Sequence, residues 1–336
     1  MKKNYINKFY SRLIGIILIV FIISNFVPVP YQIMEPGIAA ELSPMIKVKN
    51  GYDNQGEFLL TAVSTRRAMA WDYFYLTLFS PDDRELTSIA DQLPENMDMN
   101  EYIDLMAELM EESKLQAQAV AFRQAGYNVQ VTGEGAEVVE VMKEGSAYNN
   151  LKKGDLITAV DGKKVEMAAD AVNIIKNRNI GDTVEIKVIR DEKELIFNLK
   201  TLELEGNEGN PSIGVLISSK GLEYEIPGEV NFKTDNIIGP SAGSVFTMEI
   251  YNQLIPEDIT GGRKIAGTGT ISLDGEIGRI DGVKYKIMAA KEVGVDLFIV
   301  PEENYETAAE YADGLELLKV KTISDIISHL EKDLKL

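Results

Sequence analysis

Residues 239–243 of this 336-residue chain are Gly-Pro-Ser-Ala-Gly, and the largely apolar run SVFTMEIYNQL follows at 244–254. Proline is tolerated in the first turn of a helix, so the stretch predicts a loop that enters a helix at Ser241. Free backbone N–H groups and the positive end of the helix dipole would lie beside this serine, where an oxyanion is stabilised. Because the helix is apolar nearly all round, we expect it to be buried. The alternative is a tight strand-to-helix turn that happens to include a serine.

A nucleophilic serine needs a base, and the chain has one histidine and no cysteine. That histidine, His329, lies in an amphipathic segment near the C-terminus, where the pattern indicates an exposed or half-exposed helix residue. The sequence therefore disfavours a Ser-His-Asp triad. The remaining candidate base is a lysine whose pKa is lowered by burial.

A lysine suited to this role lies in a predicted helix at residues 282–294, which begins and ends at a glycine. At 100° per residue, Lys286 falls inside the apolar arc of this helix, whereas Lys284 and Lys291 fall outside it. A lysine on the apolar face is the one that folding would desolvate. The alternative is a lysine whose stem covers the core while its charged end reaches water.

Three segments together resemble the Lon proteolytic domain, a peptidase fold with a Ser–Lys dyad. They are GPSAG at 239–243, TGTISLDG at 268–275 and IDGVKYKIMAA at 280–290. The resemblance implies that Ser241 is the nucleophile and that Lys286 is the base. The helical wheel and the family pattern select the same lysine independently.

The resemblance also implies which residues support the dyad. Thr268 is placed beside the lysine as a hydrogen-bonding partner, and Gly239 and Ala242 flank the serine as supporting residues. Two positions depart from the family pattern. Asp281 replaces a glycine, and Ile238 stands where ATP-dependent Lon enzymes carry an aspartate three residues before the serine.

Composition limits the partners and cofactors. With 34 basic and 53 acidic residues the formal net charge is −19, which argues against nucleic acid as a partner. The lack of cysteine excludes disulfides and thiolate metal sites. The motif H-E-x-x-H and an EF-hand loop are missing, so we expect no metal and no cofactor. The phosphate-binding motif G-x-x-x-x-G-K-[ST] is also missing, so no ATPase module is predicted in the chain.

Residues 13–34 contain no charged side chain, and four basic residues precede them. Crossing a bilayer takes roughly 17–25 residues, so we expect a transmembrane anchor at 13–34. The basic flank predicts a cytoplasmic tail at 1–12, with the rest of the chain outside the cell membrane. A cleaved signal peptide is the rival, although small residues suited to cleavage occur only at 37–40. A soluble core helix is a third alternative.

Two segments before the middle of the chain, 58–63 and 74–79, are rich in aromatic and β-branched residues and predict strands. A helix over 101–125 is expected to follow them, with Asn100 as its cap. These elements need a sheet to join. We therefore expect residues 46–125 to form the N-terminal part of the catalytic domain, which continues at 205–336.

The intervening residues 127–204 predict a small β-barrel with one or two helices. Their sequence pattern, GS…LKKGD-I-AVDG, resembles that of a PDZ domain of the bacterial protease-associated type. Such a domain binds an extended peptide as an added strand beside a helix. The carboxylate-binding loop would fall at 133–138, with the peptide-binding residues Gly135, Ala136, Glu137 and Val138. A purely structural spacer is the alternative.

In residues 205–336 strands and helices alternate. Strands are expected at 213–218, 230–232, 265–273, 296–300 and 315–320, and further helices at 305–313 and 323–334. The predicted fold class is α+β: a Lon-type proteolytic domain with an inserted PDZ-like small β-barrel and one N-terminal transmembrane helix.

The predicted function is a membrane-anchored extracytoplasmic serine endopeptidase that cleaves exposed or short peptide substrates without ATP. The three parts in this order resemble the small PDZ-containing Lon-like proteases of Gram-positive bacteria. One rival is a non-catalytic membrane scaffold whose PDZ domain binds peptide. A second rival is a cytoplasm-facing quality-control adaptor, which the distribution of lysine and arginine disfavours.

Overall fold

A computed structural model of the chain describes residues 2–93, 97–204, 209–234 and 237–335. The side chains of residues 2–11, 91 and 92 lie outside this description. The chain divides into two compact units. Unit 2 is Val129–Glu225, and unit 1 is formed by the chain before and after it. Unit 1 is therefore discontinuous in sequence.

The elements are numbered in chain order. The α-helices are α1 (Lys2–Ser24), α2 (Ala70–Phe79), α3 (Ile89–Gln92), α4 (Met99–Gln124), α5 (Ala168–Lys176), α6 (Gly243–Leu254), α7 (Val283–Glu292), α8 (Tyr305–Ala312) and α9 (Ile323–Asp333). The strands are β1 (Pro28–Glu41), β2 (Ile46–Val48), β3 (Glu57–Met69), β4 (Glu85–Ser88), β5 (Gln130–Thr132), β6 (Gly135–Val141), β7 (Leu156–Val160), β8 (Lys163–Lys164), β9 (Thr183–Arg190), β10 (Lys193–Lys200), β11 (Val215–Lys220), β12 (Glu223–Glu225), β13 (Val230–Phe232), β14 (Lys264–Gly267), β15 (Leu297–Pro301) and β16 (Glu316–Val320). Two short 3-10 helices cover Pro240–Ala242 and Glu302–Asn304.

The sheet of unit 1 has six strands in the order β16-β15-β14-β3-β1-β4. Strands β16, β15, β14 and β3 are parallel neighbours, and β1 and β4 extend the sheet with antiparallel pairings. Strand β14 pairs Lys264 with Glu57 and Gly267 with Leu60 of β3. The two segments of unit 1 thus share one sheet, and neither segment contains all of it.

Helices α6 and α7 cover opposite faces of β14. Ala266 lies in a buried cluster with Val283 and Ile287 of α7. A β-carbon on the next residue, Gly267, would lie 2.7 Å from a methyl group of Val245 on α6. Successive residues of a strand point to opposite faces, so one helix lies on each side. The residues just after β14 therefore lie where the two helices meet.

Helix α6 is buried along nearly its whole length, as its apolar sequence predicts. Every residue from Gly243 to Gln253 is buried. Its polar side chains find partners; for example, the Thr247 hydroxyl donates to the Gly243 carbonyl at 2.8 Å. This burial holds the start of the helix in a fixed position.

The predicted anchor at 13–34 is wrong in its second half. Helix α1 ends at Ser24, and residues 28–34 belong to β1, which pairs with both β3 and β4. Ile33 is fully buried in the core beneath this strand. Sheet hydrogen bonds on both sides, together with this burial, fix the segment in the protein. Within the described residues, none of the helices combines the length and the apolar character that a membrane span requires.

The strand predicted at 74–79 is also wrong, because these residues lie in helix α2. Asp72 accepts a hydrogen bond from the Met69 N–H at 2.9 Å and so satisfies one free donor of the first turn. Its carboxylate also receives two hydrogen bonds of 2.9 Å from Arg66. These local contacts at the helix start outweigh the strand propensity of the aromatic residues, which is a weak preference.

Unit 2 contains a sheet in the order β10-β9-β7-β6-β11, with β8 paired to β7 and helix α5 packed against it. In the described residues this sheet is open, which corrects the predicted barrel. The strand expected at 213–218 is β11, which pairs with β6 inside unit 2. The predicted boundary at residue 205 is therefore wrong, since unit 2 extends to Glu225. Residues 205–208, where that boundary falls, lie outside the described residues.

Most other predicted elements are present in unit 1. The strands at 58–63, 230–232, 296–300 and 315–320 and the helices at 101–125, 305–313 and 323–334 correspond to β3, β13, β15, β16, α4, α8 and α9. The strand expected at 265–273 is shorter, because β14 ends at Gly267 and the chain turns toward the candidate site. Asp98 caps α4 in place of Asn100.

Candidate active site

Ser241 lies in the 3-10 helix Pro240–Ala242, which runs directly into α6. The turn before it requires Gly239, whose φ is 92°, a conformation that other residues rarely adopt. Gly243 is required for a different reason: a β-carbon there would lie 2.5 Å from a methyl group of Ile271. These two glycines explain why the serine is surrounded by small residues.

Lys286 reaches the serine from the second turn of α7. Its Nζ lies 2.8 Å from the Ser241 Oγ, 3.0 Å from the Thr268 Oγ1 and 3.1 Å from the Thr61 carbonyl oxygen. The lysine is 3% exposed, whereas Ser241 is only half-buried. The amine is thus shielded from solvent while the hydroxyl stays accessible.

Thr268, the first residue after β14, holds both members of the pair. Its hydroxyl donates to the Ser241 carbonyl at 2.9 Å and accepts from Lys286. The Gly269 N–H donates to the same serine carbonyl at 2.8 Å. The backbone of the serine is therefore fixed to the loop that follows the central strand.

Burial lowers the pKa of Lys286 from 10.5 to about 8, because the charged amine loses its hydration. The nearby carboxylate of Asp281 acts in the opposite direction and raises this pKa. The desolvation is larger, so a useful fraction of the amine is neutral near pH 8. A neutral amine is the form that can accept a proton.

The partners of the amine fix the direction of its hydrogen bonds. The Thr61 carbonyl can only accept, and the hydroxyl proton of Thr268 is already donated to Ser241. A neutral Lys286 has two N–H groups, which these two oxygens occupy. Its lone pair is then left for the Ser241 hydroxyl proton. The arrangement can therefore perform general-base activation of the serine.

Three further residues shape the site, none of which is among the site residues predicted from the sequence. Thr61 of β3 receives a hydrogen bond from the lysine. On α4, the Met106 carbonyl accepts from the Gly239 N–H at 3.1 Å, and the Ser113 hydroxyl donates to the Pro240 carbonyl at 3.2 Å. All three lie more than a hundred residues from their partners, so no local pattern could reveal them.

The remaining candidate residues from the sequence lie elsewhere or have other roles. The Gly239 N–H is already used by Met106, so this glycine supports the site through its backbone conformation. Lys284 stacks its amine over the Tyr311 ring at 4.9 Å. His329 lies on α9, with its Nε2 3.6 Å from the Asp333 carboxylate.

The four residues predicted to bind a peptide in unit 2 cannot do so as an open edge. Gly135, Ala136, Glu137 and Val138 belong to β6, which is flanked by β11 on one side and β7 on the other. Ala136 and Val138 are fully buried. The prediction is corrected because the backbone hydrogen bonds of this strand are used within the sheet.

Strand β11 offers the edge that β6 lacks. It is the last strand of the described sheet, and Gly214 at its start has a φ of 78°. Helix α5 lies beside it, with the Ala168 N–H donating to the Ser219 hydroxyl at 2.9 Å. A strand edge beside a helix is the arrangement that strand-addition domains use.

Comparison with known proteins finds two families along the chain, and the match in the middle of the chain begins in α4 and ends before β11. Residues 122–201 match the PDZ domain family. Residues 235–332 match the family of the Lon protease (S16) C-terminal proteolytic domain, which includes Ser241, Thr268 and Lys286.

Individual relatives match parts of the chain. Lon protease 2 of Bacillus subtilis is 34% identical over 121 residues, covering 35% of this chain and 20% of the relative. The serine protease Do-like HtrA of Lactobacillus helveticus is 43% identical over 74 residues, covering 22% of this chain and 17% of the relative. The chain thus spans about a fifth or less of the length of these curated relatives.

Among solved structures, the PDZ domain of the SdrC-like protein from Listeria monocytogenes is 30% identical. The match covers 26% of this chain and 92% of the Listeria domain, with a TM-score of 0.25. The chain thus contains one segment similar to PDZ domains and one segment similar to the proteolytic domain of Lon protease.

Proposed function

We propose that this protein is a serine endopeptidase in which Ser241 is the nucleophile and Lys286 is the base. The observation that carries the proposal is the distance of 2.8 Å between the amine and the hydroxyl, at a lysine that is 3% exposed. Nucleophile and base within hydrogen-bond reach, with a third group orienting the base, is the arrangement of covalent catalysis. Thr268 and Thr61 orient the lysine here.

In the first step the lone pair of Lys286 takes the Ser241 proton while Oγ attacks the peptide carbonyl carbon. The oxyanion of the tetrahedral intermediate faces the start of the helix at Ser241, where backbone N–H groups and the helix dipole favour negative charge. Since Gly239 donates to Met106, we assign the oxyanion to the amide groups that follow Pro240.

In the second step the protonated Lys286 gives its proton to the leaving amine, and the C–N bond breaks to leave an acyl-enzyme on Ser241. Water then enters and loses a proton to the neutral lysine as it attacks the ester. Collapse of this intermediate returns the proton to the serine and releases the carboxyl product. Each proton taken by the lysine is thus given back within the cycle.

The substrates we propose are short, disordered or already exposed peptide segments, cleaved without ATP. The support is the lack of a phosphate-binding motif in the chain, so no unfolding step is provided by this sequence. We also propose that the protein is attached to the cell membrane and acts outside the cytoplasm. Lysine and arginine near the N-terminus, followed by the apolar residues 13–23, support this location.

A peptide boronate provides a direct test of the catalytic proposal, because boron forms a reversible tetrahedral adduct with an activated serine. Purified full-length protein should hydrolyse a fluorogenic peptide library and be inhibited by the boronate. Neither signal should appear with Ser241→Ala. Equal hydrolysis by wild type and Ser241→Ala would overturn the proposal. A reporter fused after Leu336 tests the location separately.

A second candidate function belongs to unit 2: capture of an extended peptide at the β11 edge. Leu216 on this strand is 50% exposed, and Ile196 on β10, at the other edge of the same sheet, is 52% exposed. Fluorescence anisotropy with labelled peptides should show weaker binding for Leu216→Asp and unchanged binding for the matched control Ile196→Asp. Equal effects of the two variants would argue against this edge.

A further inference from the structure

Helix α2 carries its large apolar side chains on the outside of unit 1. Leu76 is its one buried residue, whereas Phe74, Leu78 and Phe79 are 55%, 62% and 63% exposed. A surface helix normally turns its apolar stripe toward the core. The apolar side chains of α2 instead face away from the core, so packing within unit 1 does not account for them.

Most exposed aromatic and aliphatic side chains of α2 share one face with the half-buried Trp71, whereas exposed Tyr73 lies outside it and packs against Tyr31. At 100° per residue, the side chains of Trp71, Phe74, Tyr75, Leu78 and Phe79 fall within an arc of about 140°. The rings of Tyr75 and Phe79 are 5.1 Å apart, and those of Trp71 and Phe74 are 5.8 Å apart. This outer face of α2 is therefore a continuous apolar surface.

No charge interrupts the outer face. Asp72, the one charged residue of α2, lies at the border of this face, about 20° beyond Phe79 at 100° per residue, where it pairs with Arg66. Trp, Phe and Leu are the side chains that helices at a membrane interface bury among the lipids.

The outer face continues into helix α1. The rings of Phe21 and Trp71 meet edge to face with their centres 4.6 Å apart. Ten large apolar side chains between Leu13 and Ile23 are exposed, and Phe26 between the two helices is 78% exposed. Together α1 and α2 present one apolar surface, far larger than single exposed residues that need no explanation.

The charge around this surface indicates what covers it. The chain has a net charge of −19, yet the residues before Leu13 carry four basic side chains and no acidic one. Arg67, three residues before α2, is also exposed, whereas the exposed Asp82 and Asp83 follow the other end of this helix. A basic flank beside an apolar surface matches the anionic headgroups and acyl chains of a lipid bilayer.

We propose that the outer face of α2 lies in a lipid bilayer beside α1, so that unit 1 is docked on the membrane surface. The proposal rests on the membrane attachment proposed above and goes further, because it assigns a second contact, made by the catalytic unit itself. The Ala70 N–H donates to the Val27 carbonyl at 2.8 Å, so α2 and the start of β1 are joined at this contact.

Docking through α2 limits how far the nucleophile lies from the lipid. Strand β1 begins at Pro28, next to the contact with α2. Its Ala39 pairs with Thr61 of β3, and the Thr61 carbonyl accepts a hydrogen bond from Lys286. Eleven residues separate Pro28 from Ala39 (39 − 28), which is at most about 36 Å at a strand rise of 3.3 Å. The substrates that this geometry favours are exposed segments of proteins that are themselves attached to the same membrane.

The chain suits a direct test, since it has a single tryptophan, Trp71, and no cysteine. The full-length protein is reconstituted with vesicles of phosphatidylcholine and phosphatidylglycerol, with or without bromine on the acyl chains. We expect Trp71 emission to shift to shorter wavelength and to lose most of its intensity in brominated vesicles. A bimane label at Leu78→Cys should shift likewise, whereas one at the exposed, off-face control Thr77→Cys should remain in water.

Each other outcome decides against the proposal. If the protein floats with vesicles while the Leu78 label stays in water, membrane attachment is retained but docking through α2 is overturned. This holds whatever Trp71 shows, because Trp71 also contacts Phe21 of α1. Protein that does not float overturns both the attachment and the docking. A vesicle-independent shift of the Leu78 label that grows with protein concentration would assign the face to a second copy of the chain instead.

Discussion

The amine of Lys286 donates to the main-chain carbonyl of Thr61 at 3.1 Å, although 225 residues separate them. This contact joins the C-terminal segment of unit 1 to strand β3 of its N-terminal segment. The lysine is held by a backbone group that no side-chain substitution can remove. The position of the base therefore depends on the assembly of the whole six-stranded sheet.

Substituting Ser241 by alanine should abolish peptide hydrolysis, with a loss of about a thousandfold or more. The melting temperature should stay nearly unchanged, because the half-buried hydroxyl contributes little to packing. Hydrolysis and thermal unfolding measured on the same purified sample check both parts. A large drop in melting temperature would mean that the serine has a structural role.

Lys286→Met should be as inactive as Ser241→Ala, while the matched variant Lys284→Met on the same helix should keep most activity. The burial of Lys286 costs about 3 kcal/mol at pH 7, from the lowering of its pKa from 10.5 to about 8. Replacing it with an apolar residue of similar length should therefore not lower stability at this pH. If Lys284→Met were inactive and Lys286→Met active, Lys286 would not be the base.

Activity should increase with pH through an apparent pKa near 8, since neutral Lys286 is the reactive form. Well below this value kcat/KM should rise tenfold per pH unit. The free energy of unfolding should also increase with pH between about pH 8 and 10.5. In this range the lysine of the unfolded chain still binds a proton that the folded lysine has lost. A flat pH profile of kcat/KM across this window would contradict a lysine base.

Thr268→Val should reduce kcat roughly tenfold to a hundredfold, because the hydrogen bonds to the Ser241 carbonyl and from the Lys286 amine are both lost. The residue is fully buried and its hydroxyl contacts both Ser241 and Lys286. The conservative variant Thr268→Ser keeps the hydroxyl and should retain most activity. Because a positioning residue acts through the lysine, the valine variant should also shift the pH profile. Full activity of the valine variant would remove Thr268 from the mechanism.

Replacing residues 129–225 with a short Gly/Ser linker should leave a folded unit 1 that still forms the boronate adduct. Residues 226–336 alone should not fold, because β14 would lack its neighbour β3 in the middle of the sheet. Circular dichroism and boronate binding of the two proteins measure this. A cooperative melt and adduct formation by residues 226–336 alone would contradict the shared sheet.

Local sequence patterns predicted much of unit 1. The small residues around Ser241 and the apolar arc that contains Lys286 both result from contacts within one turn or one helix, which periodicity detects. Helix α2 shows where such patterns fail. Its aromatic residues favour a strand, but the hydrogen bonds of Asp72 to the Met69 N–H and to Arg66 favour a helix.

The sequence by itself determined the pair Ser241 and Lys286 and the alternation of elements from β13 to α9, because these depend on local spacing and burial. Only the tertiary structure decided that Thr61 and Met106 hold the site, that β6 has no free edge and that β1 begins where an anchor was expected. Those features depend on strand pairing between distant segments. Backbone N–H and C=O groups are nearly the same for every residue type, so the local sequence pattern does not specify which distant strands pair.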